Sequence, residues 1–225
     1  LDRRRLVSSI AVAIDSIERS HPVRVAVDGV GVSGKTFLAD ELAGALESMG
    51  RTVIRASIDG FHRPRGRRYE RGDLSPLGYL DDSFDYEAVA ECLLEPLGPG
   101  GDLRYRTAVF DFRTESAVDS SERTADRDSV LVFDGVFTLR DELRDFWDFS
   151  IYVDTSFDVT LARALERDIV LLGGPAATRE RYERRYIPGE RLYLARCRPW
   201  ERADAVVGND DPADASLKWQ NGEPR

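Results

Sequence analysis

The chain is 225 residues long, 42% hydrophobic and 32% charged, with a formal net charge of −9 at pH 7. That length and apolar content suffice for one full core in a single domain, and the acidic balance argues against a protein that coats nucleic acid or an anionic membrane. Cys92 and Cys197 lie far apart without C-x-x-C spacing, no apolar run approaches membrane-spanning length, and the start lacks the apolar core of a signal peptide; the expectation is a cytoplasmic protein with free thiols, acting on small molecules.

Leu6, Ile10, Ala13, Ile14 and Ile17 fall at helical spacing and predict an amphipathic helix over residues 6–18. Val23, Val25, Ala26 and Val27 predict the first core strand. It runs into Gly29-Val30-Gly31-Val32-Ser33-Gly34-Lys35-Thr36, which meets the phosphate-loop pattern G-x-x-x-x-G-K-[ST] at every fixed position. Glycines there let successive N–H groups converge on phosphate oxygens at the positive end of a helix. Lys35 would reach the β/γ-phosphates of ATP, and the Thr36 hydroxyl would bind Mg²⁺. The chain has thirty Arg and two Lys, the other being Lys218 near the end. A lysine kept at position 35 in so Arg-rich a sequence marks the need for a compact ammonium. Leu38, Leu42, Ala45, Leu46 and Met49 then line one helical face, and Gly50 is placed to end that helix.

Residues 52–58 predict a second strand that delivers Asp59-Gly60-Phe61-His62 to a carboxyl-terminal sheet edge, where α/β proteins bind ligands. Asp59 could cap a turn; beside a phosphate loop it could also take a proton from an attacking hydroxyl or hold Mg²⁺. His62 reads equally as a substrate contact or a packed loop residue. Residues 63–82 carry Arg63, Arg65, Arg67, Arg68 and Arg71 among Gly and Pro without sustained periodicity, which predicts a long basic loop. Asp85 is placed to cap a helix that ends near Pro96. Residues 103–112 read as extended, and the stretch through Val118 as a small β-element whose aromatic side chains serve either the core or a planar base.

Val130-Leu131-Val132-Phe133 is an unbroken apolar run that predicts a strand buried on both faces. It ends in Asp134-Gly135, either a simple turn or a carboxylate for the Mg²⁺ shell. Residues 149–153 predict a strand ending at Asp154, after which Thr155 or Ser156 can cap a long helix with Val159, Ala162, Leu165, Ile169 and Leu172 on one face. Arg163 and Arg167 lie one turn apart on a neighbouring stripe and could clamp phosphate or pair with acids such as Glu166. Gly173-Gly174-Pro175 breaks that helix. Arg179, Arg181, Arg184 and Arg185 crowd the next one, which Pro188 interrupts or kinks; together these helices suggest a lid over ATP. Residues 205–207 predict a final strand, followed by a polar tail without chemistry.

Assembled in this order, the chain resembles the uridine kinase family, within the wider group of P-loop kinases that includes phosphoribulokinase and bacterial pantothenate kinase. The likeness spans about residues 22–211. It rests on Gly29 to Thr36, Ser57-Ile58-Asp59-Gly60-Phe61-His62, Val109-Phe110-Asp111-Phe112, Leu131-Val132-Phe133-Asp134-Gly135 and Leu161-Ala162-Arg163-Ala164-Leu165-Glu166-Arg167-Asp168. The resemblance implies Asp59 as the carboxylate that accepts the proton of a sugar 5′-hydroxyl. It also implies Phe110, Asp111 and Phe112 as nucleoside contacts, and Arg163 and Arg167 as lid arginines. Uridine kinases commonly have Tyr in place of Phe110, a base-contacting His near Glu115 and Glu in place of Asp134, so the chain departs from the pattern mainly where the base is recognised.

The expected fold is an α/β P-loop NTPase fold of three layers with a mostly parallel sheet, an Arg-rich helical lid and a small β-element. One kinase domain is expected over residues 1–211, with a lid at 163–190, acceptor-side segments at 59–82 and 103–118, and a polar tail at 212–225. The expected reaction is phosphoryl transfer from ATP, with Mg²⁺, to a small-molecule acceptor, a nucleoside first and otherwise a pantothenate-like or sugar alcohol. A P-loop ATPase switch without an acceptor is the alternative of another class. Nucleic-acid and membrane partners are not expected, and the sequence leaves homo-oligomerisation open.

Overall fold

The computed structural model describes residues 2–119, 121–220 and 222. Its centre is a six-stranded sheet built from β1 (Val23–Gly29), β2 (Val53–Ser57), β3 (Val130–Gly135), β4 (Phe149–Asp154), β5 (Ala205–Gly208) and β6 (Ser216–Trp219). Their order across the sheet is β6-β5-β4-β1-β3-β2, parallel throughout except for the antiparallel β6. Every residue of β1 and β3 is buried, as apolar runs flanked by layers on both faces require.

One face is covered by α1 (Arg3–Asp15) and α2 (Lys35–Ser48), whose Leu6, Ile10, Ile14, Leu38, Leu42 and Leu46 pack in one cluster with Val25, Val132 and Ile151. The other face packs Leu131 and Phe133 against Phe61, Leu93, Phe137 and Tyr193. Tyr193 belongs to α6 (Ile187–Cys197), which follows α3 (Pro76–Asp82), α4 (Phe157–Arg167) and α5 (Pro175–Arg181) in the chain. The mostly parallel three-layer arrangement expected from the sequence is present.

Several local expectations are corrected. The basic stretch 63–82 is not one long loop: it contains a helical turn, Arg65–Arg68, and α3, capped by Ser75, whose Oγ accepts the Gly78 N–H at 3.1 Å with Pro76 in the first turn. Helix α4 stops at Arg167 and not near Leu172. Its buried positions are Thr160 and Ala164, and Ala162 is exposed. Ser156 stands at its N-cap position but makes no side-chain capping bond. The small β-element expected through Val118 is present outside the main sheet: Phe110–Asp111 pairs antiparallel with Ser116–Ala117, and Arg104–Tyr105 pairs with Arg123–Thr124. The interruption expected at Pro188 is present: a π-helical turn, Tyr182–Tyr186, joins α5 to α6 directly before Pro188, which lies in the first turn of α6. Part of the supposed polar tail is strand β6, while residues 221 and 223–225 of that tail lie outside the described residues.

Candidate functional site

Strand register brings the site together. In β3, Asp134 lies opposite Val27 of β1 and Ser57 of β2, so the phosphate loop, Asp134 and the turn Ile58–Gly60 that carries Asp59 all leave the same carboxyl-terminal edge. Between them opens a cleft lined among others by Gly31, Val32, Lys35, Thr36, Asp59, His62, Phe112, Asp134, Arg167 and Glu190.

The loop from Gly29 to Thr36 joins β1 to α2, and Gly34 takes a left-handed φ of +92° at the helix start. Its rear is pinned. The Ser33 carbonyl accepts from Asn209 Nδ2 at 2.6 Å and Thr155 Oγ1 at 3.2 Å, and Arg163 Nη1 reaches the Val32 and Ser33 carbonyls at 3.4 Å. Arg163 Nη2 donates to the Asn209 and Asp210 carbonyls at 2.8 and 3.0 Å. The two ends of a trans peptide point in opposite directions, so holding the Ser33 carbonyl behind the loop puts the Gly34 N–H on its other side. Lys35 Nζ donates to the Val30 carbonyl at 3.2 Å, ahead of any phosphate.

Thr36 Oγ1 donates to Asp134 Oδ2 at 2.7 Å, and Arg55 Nη2 donates to Asp134 Oδ1 at 2.9 Å. Asp134 is 2% exposed. Gly135 behind it is required, because a Cβ there would stand 2.4 Å from Ile58 Cγ2. Among the described residues no group of three or more His, Cys, Asp and Glu forms a metal cage. A hydroxyl and a carboxylate beside a phosphate site nevertheless suit Mg²⁺, which keeps several waters and takes few protein ligands.

Next to Asp59, His62 sits between Phe84 and Phe112 at ring distances of 4.6 and 4.5 Å, with Nδ1 3.0 Å from the Asp59 carbonyl oxygen. Burial is the main influence holding its imidazole below the ordinary value. Phe112 and Asp59 line the cleft; Phe110 and Asp111 do not. Asp111 is half-buried and its carboxylate serves its own turn, accepting the Arg113 N–H at 2.9 Å and the Thr114 hydroxyl at 3.0 Å. Glu115 pairs with Arg68 and accepts the Arg65 N–H at 2.9 Å. The two arginines expected in a lid separate: Arg167 lines the cleft, anchored on Asp168 at 2.6 and 2.9 Å, while Arg163 is behind the loop. Burial pushes the Asp168 carboxyl up, but hydrogen bonds from Arg167 and Tyr182 outweigh it and hold it below the usual range.

Two carboxylates escaped the sequence reading. Asp28 is fully buried beneath the loop, where it accepts the Gly29 N–H at 2.7 Å, the Leu139 N–H at 3.2 Å and the Tyr193 hydroxyl. Burial, only partly offset by those bonds, pushes it up to about 6. Glu190, in the first turn of α6, accepts the Gly31 N–H at 2.7 Å, and burial pushes it up to about 7. An acidic residue directly before Gly29 was a visible signal for Asp28; nothing local marked Glu190.

This sheet order, loop and strand-edge carboxylates define a phosphate-loop α/β protein. More particularly, the chain belongs to the Phosphoribulokinase / Uridine kinase family, whose model matches residues 25–176. It is 32% identical over 155 residues to uridine-cytidine kinase B of Dictyostelium discoideum, covering 68% of this chain and 61% of that protein. The chain thus spans about three fifths of that relative's length. Two solved structures share the fold at 24% identity and a TM-score of 0.70. One is described as a possible uridine kinase from Bacillus stearothermophilus, covering 90% of this chain and 97% of that one. The other, from Silicibacter sp. TM1040, is provisionally named a fructose transport system kinase and covers 87% and 95%.

Proposed function

We propose that the chain is an ATP-dependent kinase that transfers the γ-phosphate to the 5′-hydroxyl of a nucleoside such as uridine or cytidine. The observation that carries this reading is the shared cleft, in which Asp59 faces the same space as Lys35, Thr36 and Asp134. The name of the Dictyostelium relative supports the acceptor class. Asp59 takes the hydroxyl proton as the oxygen attacks, and Lys35 and the loop amides hold the phosphates. Arg167 neutralises charge on the transferring group, and Arg163 keeps the loop in shape from behind. Mg²⁺, held by Thr36 and Asp134, would supply electrostatic stabilisation of the phosphates. Phe112 and His62 offer the flat apolar surface a base requires.

Residues 163–190 serve as the lid in this reading. Its loop exposes Val170 and Leu171, 90% and 71% accessible, and Leu171 and Leu172 border the cleft; closure would cover them and exclude water. One kinase domain over residues 1–211 and a reducing, cytoplasmic setting complete the proposal, the latter supported by the free Cys92 and Cys197.

A second acceptor class, a sugar or pantothenate-like alcohol, is favoured by one feature: Glu115 is tied to Arg68 on the pocket wall where the base would be read. A panel of nucleosides, sugars and hydroxy acids, scored by ADP release with MgATP, separates these readings. Turnover with uridine or cytidine supports the first. Turnover only with other alcohols replaces the acceptor, and acceptor-independent hydrolysis points to an ATPase switch.

A further inference from the structure

Glu190 stands on a donor that a bound nucleotide needs. Its side chain is carried by α6, the residue is 1% exposed, and Oε1 accepts both the Gly31 N–H at 2.7 Å and the Tyr79 hydroxyl at 3.4 Å. Gly31 is the third residue of a loop whose successive amides cradle phosphates. One N–H does not serve a carboxylate and a phosphate at once, and two anions in a water-poor cleft repel strongly. The oxygen is also close to the loop backbone: a Cβ on Gly31 would lie 3.0 Å from it.

We propose that Glu190 gates the phosphate loop: ionised, it occupies the Gly31 N–H and opposes the nucleotide's phosphates; protonated, it yields that amide and donates its own O–H to a phosphate oxygen. The groups acting on it come from every side. Lys35 of α2 and the Tyr79 hydroxyl of α3 favour the ionised form, and Asp28 of β1 opposes it. Tyr152 of β4 and Tyr182, which follows α5, also feel its charge. Burial outweighs these influences and places the exchange near neutral pH. The proton comes from solvent and returns to it when the nucleotide leaves, so the gate needs no other reactant. It rests only on the ATP-binding half of the proposed function.

The test is calorimetric titration of MgATP into the full chain at pH 6 and pH 8, without acceptor, for the wild type and Glu190→Gln. If only the protonated form binds, the wild-type Kd rises about tenfold between those values. Glu190→Gln, neutral at both and able to donate through its amide, keeps one Kd within about twofold and at pH 8 binds about tenfold tighter than the wild type by the same linkage. A damaged fold does not gain affinity. Comparing the two proteins also removes the nucleotide's own titration. A wild-type Kd that is equal at both values overturns the gate and leaves the kinase reading intact. So does a tenfold rise retained in Glu190→Gln, or a loss of binding by that variant at pH 6. If the wild type fails to bind MgATP at pH 6, the donor assignment and the gate fall together.

Discussion

Thr36 and Asp134, 98 positions apart in the chain, meet hydroxyl to carboxylate across 2.7 Å. The contact follows from topology: β3 lies between β1 and β2, so its terminal carboxylate emerges beside the first turn of α2. Arg55 holds the other carboxylate oxygen and also bonds the Val132 carbonyl at 2.6 Å, so Asp134 has little freedom to turn away.

Asp134→Asn is therefore expected to lower kcat/KM about 100-fold, roughly 3 kcal/mol of transition-state stabilisation, and to raise the Mg²⁺ concentration needed for half-maximal rate. Thr36→Val should act in the same direction with a smaller effect. Steady-state rates across a Mg²⁺ series read both. An unchanged Mg²⁺ dependence in the two variants would remove this pair from the metal shell.

Asp59→Asn separates chemistry from binding. Loss of a general base typically costs on the order of 10² to 10⁴ in rate. MgATP affinity should stay within about threefold, because the loop that holds the phosphates is pinned from Thr155, Asn209 and Arg163 and not from Asp59. Near-normal kcat with the true acceptor would take the base role from Asp59.

Features that repeat locally were legible in the sequence. The uninterrupted run Val130 to Phe133 reads as a buried strand because no polar side chain needs an exit. The loop Gly29 to Thr36 fixes its own neighbours, strand before and helix after. Features that depend on distant partners were hidden. Helix α3 was masked because Arg, Gly and Pro around it suppress periodicity, and only Ser75-Pro76 announced its start. The buried stripe of α4 escaped hydrophobic counting because it is Thr160 and Ala164, continued just past the helix end by Asp168, whose carboxylate is satisfied by Arg167 and Tyr182. Arg185 is 2% exposed because its donors meet the carbonyls of Arg68, Gly72, Asp73 and Ser75, and its guanidinium lies 4.6 Å from the Tyr69 ring centre. No spacing rule foretells such a set. The same holds for Glu190, whose partner Gly31 is 159 positions away.

The two arginines that sequence spacing grouped should part in kinetics. Arg163→Ala removes a donor from the loop carbonyls of Val32 and Ser33 and from those of Asn209 and Asp210, and the expected result is an MgATP KM raised about tenfold with kcat changed little, the pattern of lost ground-state binding. Arg167→Ala removes a cation from the cleft and should lower kcat about tenfold or more while KM for MgATP moves little. Equal KM and kcat profiles for the two variants would contradict the division of labour.

Asp28 should make stability fall with rising pH across the weakly acidic range. Its carboxyl is raised from an ordinary 3.8 to about 6, chiefly by burial, so the folded chain holds this proton more tightly than the unfolded chain. That contribution is fully present below the unfolded value and is lost as pH rises through about 6. Asp28→Asn cannot titrate. It also disturbs acceptance of the Gly29 and Leu139 N–H groups, a cost that does not vary with pH. The informative quantity is therefore the wild-type unfolding free energy minus that of the variant, from urea titrations between pH 4 and pH 7.5. It should fall by up to about 3 kcal/mol across the range, the linkage equivalent of the raised value. Carboxylates held low, such as Asp168, pull the other way in acid but are common to both proteins and cancel in the difference. A difference that stays constant across the range would show that Asp28 titrates alike in the folded and unfolded chain.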